Sequence, residues 1–229
     1  MRKPLRHLAT GTGTLLGAAA LVAATAGAAL ASATVTAGGS PYTGAVRATN
    51  LGGVTYSIGS SYGVLIATCT GNQIDATTTG SGAASTITGV SFSGCSLNRG
   101  GTVTITAHGL PYAGGAVAYA PVPGGQDGTF SFSAPNRSFD VELDAYVAQW
   151  NNAHVNCHYS VSSTPFAIGL FNAGNAARPV LANAHSQAVL NHQTLSSISS
   201  APLCATAASW SGTYQLLTQP GGADVSVGP

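Results

Sequence analysis

Asp140, Glu142 and Asp144 gather half of the chain's six acidic residues at alternate positions. On a strand they project from one face, with neighbours about 7 Å apart. Three like charges in a row repel, so the fold must compensate them. Calcium is one candidate, because it accepts carboxylate and carbonyl oxygens. Calcium loops curl their ligands around the ion, however, and a flat strand does not. Arg137 or Arg99 on a neighbouring strand would serve as counter-ion instead. Paired carboxylates also perform glycoside hydrolysis, but nothing else in the chain supports that chemistry. The preferred reading is a solvated outer face, with Asp140, Glu142 and Asp144 kept as candidate binding residues.

His154 and His158 share the face of a second strand. Their Cα atoms stand about 13 Å apart in that geometry, too far for one zinc ion. His108, His185 and His192 show no cluster spacing. Gly59-Ser60-Ser61-Tyr62-Gly63 matches G-x-S-x-G. In a hydrolase that pattern exposes a nucleophilic serine on a strand-to-helix elbow, and Ser61, Asp140 and His185 would supply the triad order. Both flanks read as strand and no helix follows, so a Gly/Ser hairpin turn is preferred. No catalytic residue, metal ligand or cofactor motif is assigned.

Trp150 and Trp210, with eight tyrosines, offer aromatic surface suited to carbohydrate. Trp210 alternates with Tyr214 and Leu216 and reads as core. Trp150 follows the acidic strand beside Asn151 and Asn152 and is the candidate for an exposed binding ring.

Strands must position all of these. Val54, Tyr56 and Ile58 alternate with polar residues, and Tyr62 to Cys69 is apolar on both faces, as in a central strand. Thr77 to Ser85 reads as a loop or hairpin tip. Ile87 and then Val90/Phe92 change parity across Gly89, the mark of a bulge. Thr102, Thr104 and Thr106 alternate with Val103, Ile105 and Ala107. Phe139, Val141, Leu143, Ala145 and Val147 form the cleanest period-two stripe, and Val155, Cys157, Tyr159 and Val161 repeat it. Residues 175–193 are the least strand-like, with room for a short helix. Val225 and Val227 suggest a last edge strand. The pattern predicts an all-β antiparallel fold, a two-layer sandwich by preference and a β-barrel as the alternative.

Arg2, Lys3 and Arg6 precede an Ala/Leu/Gly-rich run that ends in Ala31-Ser32-Ala33. This predicts a helical secretory leader over residues 1–33, cleaved before Thr34, and one exported β domain over 34–229. Cys69, Cys95, Cys157 and Cys204 all fall in the exported part. An even count without C-x-x-C spacing favours disulfides. Of three possible pairings, Cys69–Cys95 and Cys157–Cys204 are favoured, because each pair flanks segments that could be neighbouring strands. Beyond the leader the cations are Arg47, Arg99, Arg137 and Arg178, against six acids. So sparse a positive charge excludes nucleic acid and anionic membrane as electrostatic partners. A weakly charged Ser/Thr/Asn/Gly surface suits cell-wall polysaccharide or self-association instead.

Three stretches carry a resemblance. They are Cys69-Thr70-Gly71; Ile87 to Cys95 (ITGVSFSGC), followed by Gly109-Leu110-Pro111-Tyr112; and Cys204 with Ala208 to Tyr214 (ASWSGTY). Together they resemble a broad group of secreted β-rich proteins of actinobacteria with no established activity. The resemblance implies export and a β fold, and transfers no site. The expected function is a non-enzymatic secreted or envelope-associated β domain. A secreted hydrolase and a small-ligand or metal carrier are the alternatives.

Overall fold

The computed structural model describes residues 31–60, 62–162 and 164–229. Most of the expected leader with its helix (residues 1–30), Ser61, and the side chain of Arg137 lie outside the described residues.

Among the described residues sixteen strands follow in chain order: β1 (Ala31–Ser32), β2 (Thr34–Ala37), β3 (Ser40–Pro41), β4 (Gly44–Asn50), β5 (Val54–Ser60), β6 (Gly63–Thr78), β7 (Ser85–Leu97), β8 (Gly101–His108), β9 (Tyr112–Tyr119), β10 (Gly128–Phe132), β11 (Asn136–Val147), β12 (Ala153–Val161), β13 (Phe166–Phe171), β14 (Gln187–Ser197), β15 (Ala207–Gln219) and β16 (Val225–Gly228). One 3₁₀ turn, Ala148–Trp150, follows β11. Among the described residues no helix is long and apolar enough to cross a membrane.

Of the two arrangements expected, the barrel is the one present. β4, β6, β7, β9, β10, β13, β14 and β15 pair in that order, and β4 pairs β15 to close the ring. Long strands make closure possible. β6 pairs β4 through Gln73–Thr78 and β5 through Gly63–Cys69, so its two halves serve different neighbours. The bend is taken up where Asp75 faces Gly89 but Ala76 faces Ile87, which is the bulge marked by the parity change at Gly89. Extra strands build outward, β5 between β15 and β6, and β12, β11 and β8 in series from β14. β16, β2 and β3 form a separate small sheet that packs on the barrel through Val227.

The stripes point inward as their spacing requires. Phe139, Val141, Leu143, Ala145 and Val147 are buried, as are Val155, Cys157, Tyr159 and Val161, and Trp210 and Tyr214 join the same core. Both favoured disulfides are present. Cys69–Cys95 links directly opposed residues of β6 and β7, and Cys157–Cys204 ties β12 to the turn before β15.

Two local expectations need correction. Tyr62 to Cys69 is buried on one face only, not two as in a central strand, since Leu65, Ala67 and Cys69 are buried while the equally apolar Tyr62 and Val64 are exposed. Residues 175–193 contain turns and the start of β14, and no helix. The strand is disguised because buried amides hold it. Gln187 exchanges bonds with the backbone of Val180, and Gln193 Oε1 accepts from Ala167 N–H. A register shift between Leu190 and Gln193, with His192 at φ 51°, breaks the alternation as well.

Candidate functional site

Two surfaces gather the residues with chemistry. The first is the outer face of β8, β11 and β12. Asp140 on β11 stands opposite His108 of β8, and Glu142 stands opposite Thr106 of β8 and His158 of β12. The carboxylates reach their partners diagonally. His108 Nε2 is 2.6 Å from Glu142 Oε2, and Asn156 Nδ2 donates to Glu142 Oε1 at 2.6 Å. His158 Nδ1 lies 3.0 and 3.1 Å from the two Asp140 oxygens. His154 Nε2 is 2.7 Å from Asp144 Oδ1, and its ring stacks on exposed Tyr146 at 4.6 Å.

Tyr112 fixes the register at one end of this face. Its buried hydroxyl lies 2.7 Å from His108 O and 2.8 Å from Asp140 O, donating between the two strands. Burial pushes its pKa up to about 12, so it stays a donor at any ordinary pH.

Histidines therefore partner the acidic row among the described residues. Arg99 instead bonds Gln149. Each of the three carboxylates already accepts a histidine contact. Among the described residues no group of three His, Cys, Asp or Glu side chains is placed to hold a metal ion, so calcium gains no support. Asp140 bonds His158 while His185 bonds Asp224, so the Ser61–Asp140–His185 order is not assembled as a triad. Ser60 pairs with Gly63 across the β5–β6 turn, a hairpin with strand on both sides. The histidine lattice escaped sequence reasoning because nothing local predicts that β8 and β12 flank β11.

The hydrogen bonds from His108 and Asn156 hold the Glu142 carboxyl below its ordinary pKa, against the opposing effect of burial. A depressed folded-state pKa gives stability that is present above the unfolded value and lost as pH falls through the folded one. Glu142→Gln should therefore lower Tm at pH 7 by about 3–6 °C, on the scale of one partly exposed charge-assisted bond. The deficit should shrink as the pH falls below the ordinary glutamate range and wild-type Glu142 in turn takes up its proton. Thermal melts of both proteins from pH 7 to pH 2 check this. A pH-independent gap would contradict it.

The second surface is one end of the molecule, where three turns meet. Tyr62 tips the β5–β6 hairpin, Arg99 sits in the β7–β8 turn, and Ala148–Asn152 joins β11 to β12. Backbone bonds lock the last two together, from Gln149 N to Arg99 O and from Ala148 N to Gly100 O, both 3.1 Å. Asn151 and Asn152 take φ of 57° and 56° to reverse the chain. Trp150 is half-buried, with one side against the core and its ring 5.5 Å from that of Tyr62, which is 63% exposed. Arg99 reaches over Gly63, its Nη1 donates to Gln149 Oε1 at 3.4 Å, and its Nε is buried without a partner. The sequence singled out Trp150 but not Tyr62 or Arg99, which only the meeting of turns brings beside it.

Comparison with known proteins gives no match to a family model, to a curated protein or to a solved structure.

Proposed function

We propose that this chain is a secreted, non-enzymatic, envelope-associated β domain that binds polysaccharide at the Tyr62–Trp150 platform. The observation that carries the reading is that pair of rings, 5.5 Å apart, on a surface where three turns meet. Aromatic rings give large apolar contact at low entropic cost, which suits the C–H faces of sugars. The guanidinium of Arg99 and the amides of Gln149, Asn151 and Asn152 lie within the same three turns and supply donors and acceptors for hydroxyls. Export is supported by the leader pattern and by the bridging of all four cysteines, which suits an oxidising compartment. The resemblance to secreted actinobacterial proteins points the same way. A sparsely charged surface suits a neutral polymer.

Co-sedimentation with insoluble peptidoglycan, cellulose and xylan tests the proposal. The exported chain should be retained by at least one of them, and Trp150→Ala should weaken retention at least tenfold, about 1.4 kcal/mol. Tyr62→Ala should act in the same direction. No retention on any polymer, or wild-type retention of both variants, would overturn it.

A further inference from the structure

A cavity of about 80 Å³ lies at the end of the barrel beneath the small sheet. All eight barrel strands contribute to its wall, from Ala48 of β4 round to Leu216 of β15. Val35 of β2 and Val225 and Val227 of β16 form its roof. The wall owes its hollow to small residues, since Ala48, Ala76 and Ala188 stand where bulkier side chains would fill it. The main core elsewhere in the molecule is packed with Tyr56, Phe132, Phe139, Phe166 and Trp210.

Two further observations show what such a space accepts. First, its polar neighbours are turned to protein partners. Thr78 Oγ1 and Ser85 Oγ bond each other at 3.0 Å, and the Tyr214 hydroxyl donates to Asn72 at 2.7 Å. Water entering there would find few partners, and apolar cavities of this kind stay dry and take apolar guests. Second, Val35, Val46 and Val225 form a hydrophobic cluster separate from the main core. Val46 belongs to β4, so the cavity lies where the roof packs onto the barrel strands. The roof is tied to the barrel by, among others, Val35 N to Gly80 O at 2.8 Å and the two bonds between Asn172 and the Val227 backbone. Exposed Thr77 borders the space, so it reaches the surface beside the roof.

We infer that this end of the barrel is a binding site for the apolar end of an aliphatic chain. Eight-stranded barrels are wide enough to hold one small ligand. The volume is about half that of an engineered cavity that binds benzene, which suits the narrow terminus of an alkyl chain rather than a ring. The inference is independent of the polysaccharide platform.

The test is methyl NMR of the exported chain under xenon and, separately, in a titration with sodium octanoate. Both should shift the methyls of Val35, Val225 and Ile74 saturably. Ala188→Leu, which fills the hollow, should weaken both by at least tenfold. Ala48→Val is the milder second variant should the first not fold, and should weaken octanoate in the same direction. Xenon shifts without octanoate shifts would reveal a packing void only and overturn the inference. So would the absence of both, or octanoate binding unchanged in the filled variants.

Discussion

Replacing the second bridge, as Cys157→Ala with Cys204→Ala, should lower unfolding stability by about 4 kcal/mol. That figure is the loop-closure entropy for a separation of 47 residues, released into the unfolded chain. The position justifies using the full value. Cys157 is completely buried in the stripe of β12, while Cys204 lies in the turn that leads to β15. β12 pairs with β14 through the short ladder Tyr159–Ser197 and Ser160–Ser196, and the bridge reinforces that junction of the outer strands with the barrel. The Cys69–Cys95 bridge joins residues already opposed in the β6–β7 ladder. Its removal should cost less, about 3.5 kcal/mol for a separation of 26 residues. Guanidinium denaturation of the two double variants measures the difference. Equal losses, or a larger loss at Cys69–Cys95, would contradict this ranking.

Trp210→Ala should cost about 3–5 kcal/mol, the range for deleting a buried large aromatic. Trp210 is 1% exposed and packs at 5.5 Å from the Phe92 ring and 6.0 Å from Phe166. It also stands opposite Tyr56 where β15 pairs β5. Truncation therefore leaves a hole among strands from both the barrel and its outer layer, and neighbouring rings cannot collapse into it without moving backbone. By contrast Trp150→Ala should cost less, about 1–2 kcal/mol, because that side chain is only partly buried and packs on the edge of the core. Urea midpoints of the two variants separate the roles. Similar losses for both would mean that Trp150 is structural.

Much of the fold was legible because period-two stripes report burial directly. The β11 stripe from Phe139 to Val147 and the β12 stripe from Val155 to Val161 are inward as read. The parity change at Gly89 marked a true bulge, and proximity of segments sufficed to pair four cysteines. Closure was less legible, because the β4–β15 and β4–β6 pairings join residues far apart in sequence. The start of β14 was hidden for a different reason. Gln187 and Gln193 are buried polar residues satisfied by backbone groups, and alternation rules count them as solvent-facing. The site shows the same division. Asp140, Glu142 and Asp144 were correctly placed on an outer face, and His154 and His158 on one strand face. Their mutual pairing depends on strand order, which no local pattern contains. Trp150 was singled out from its position after the acidic strand, whereas Tyr62 and Arg99 became partners only through the convergence of turns.

The polysaccharide platform is tested most directly by the indole N–H resonances. The chain has two tryptophans, one on the platform and one in the core, so the spectrum contains an internal control. Titration with soluble oligosaccharides released from the retained polymer should shift the Trp150 signal saturably and leave that of Trp210 in place. Movement of neither signal, or of Trp210 alone, at sugar concentrations that saturate retention would contradict the account.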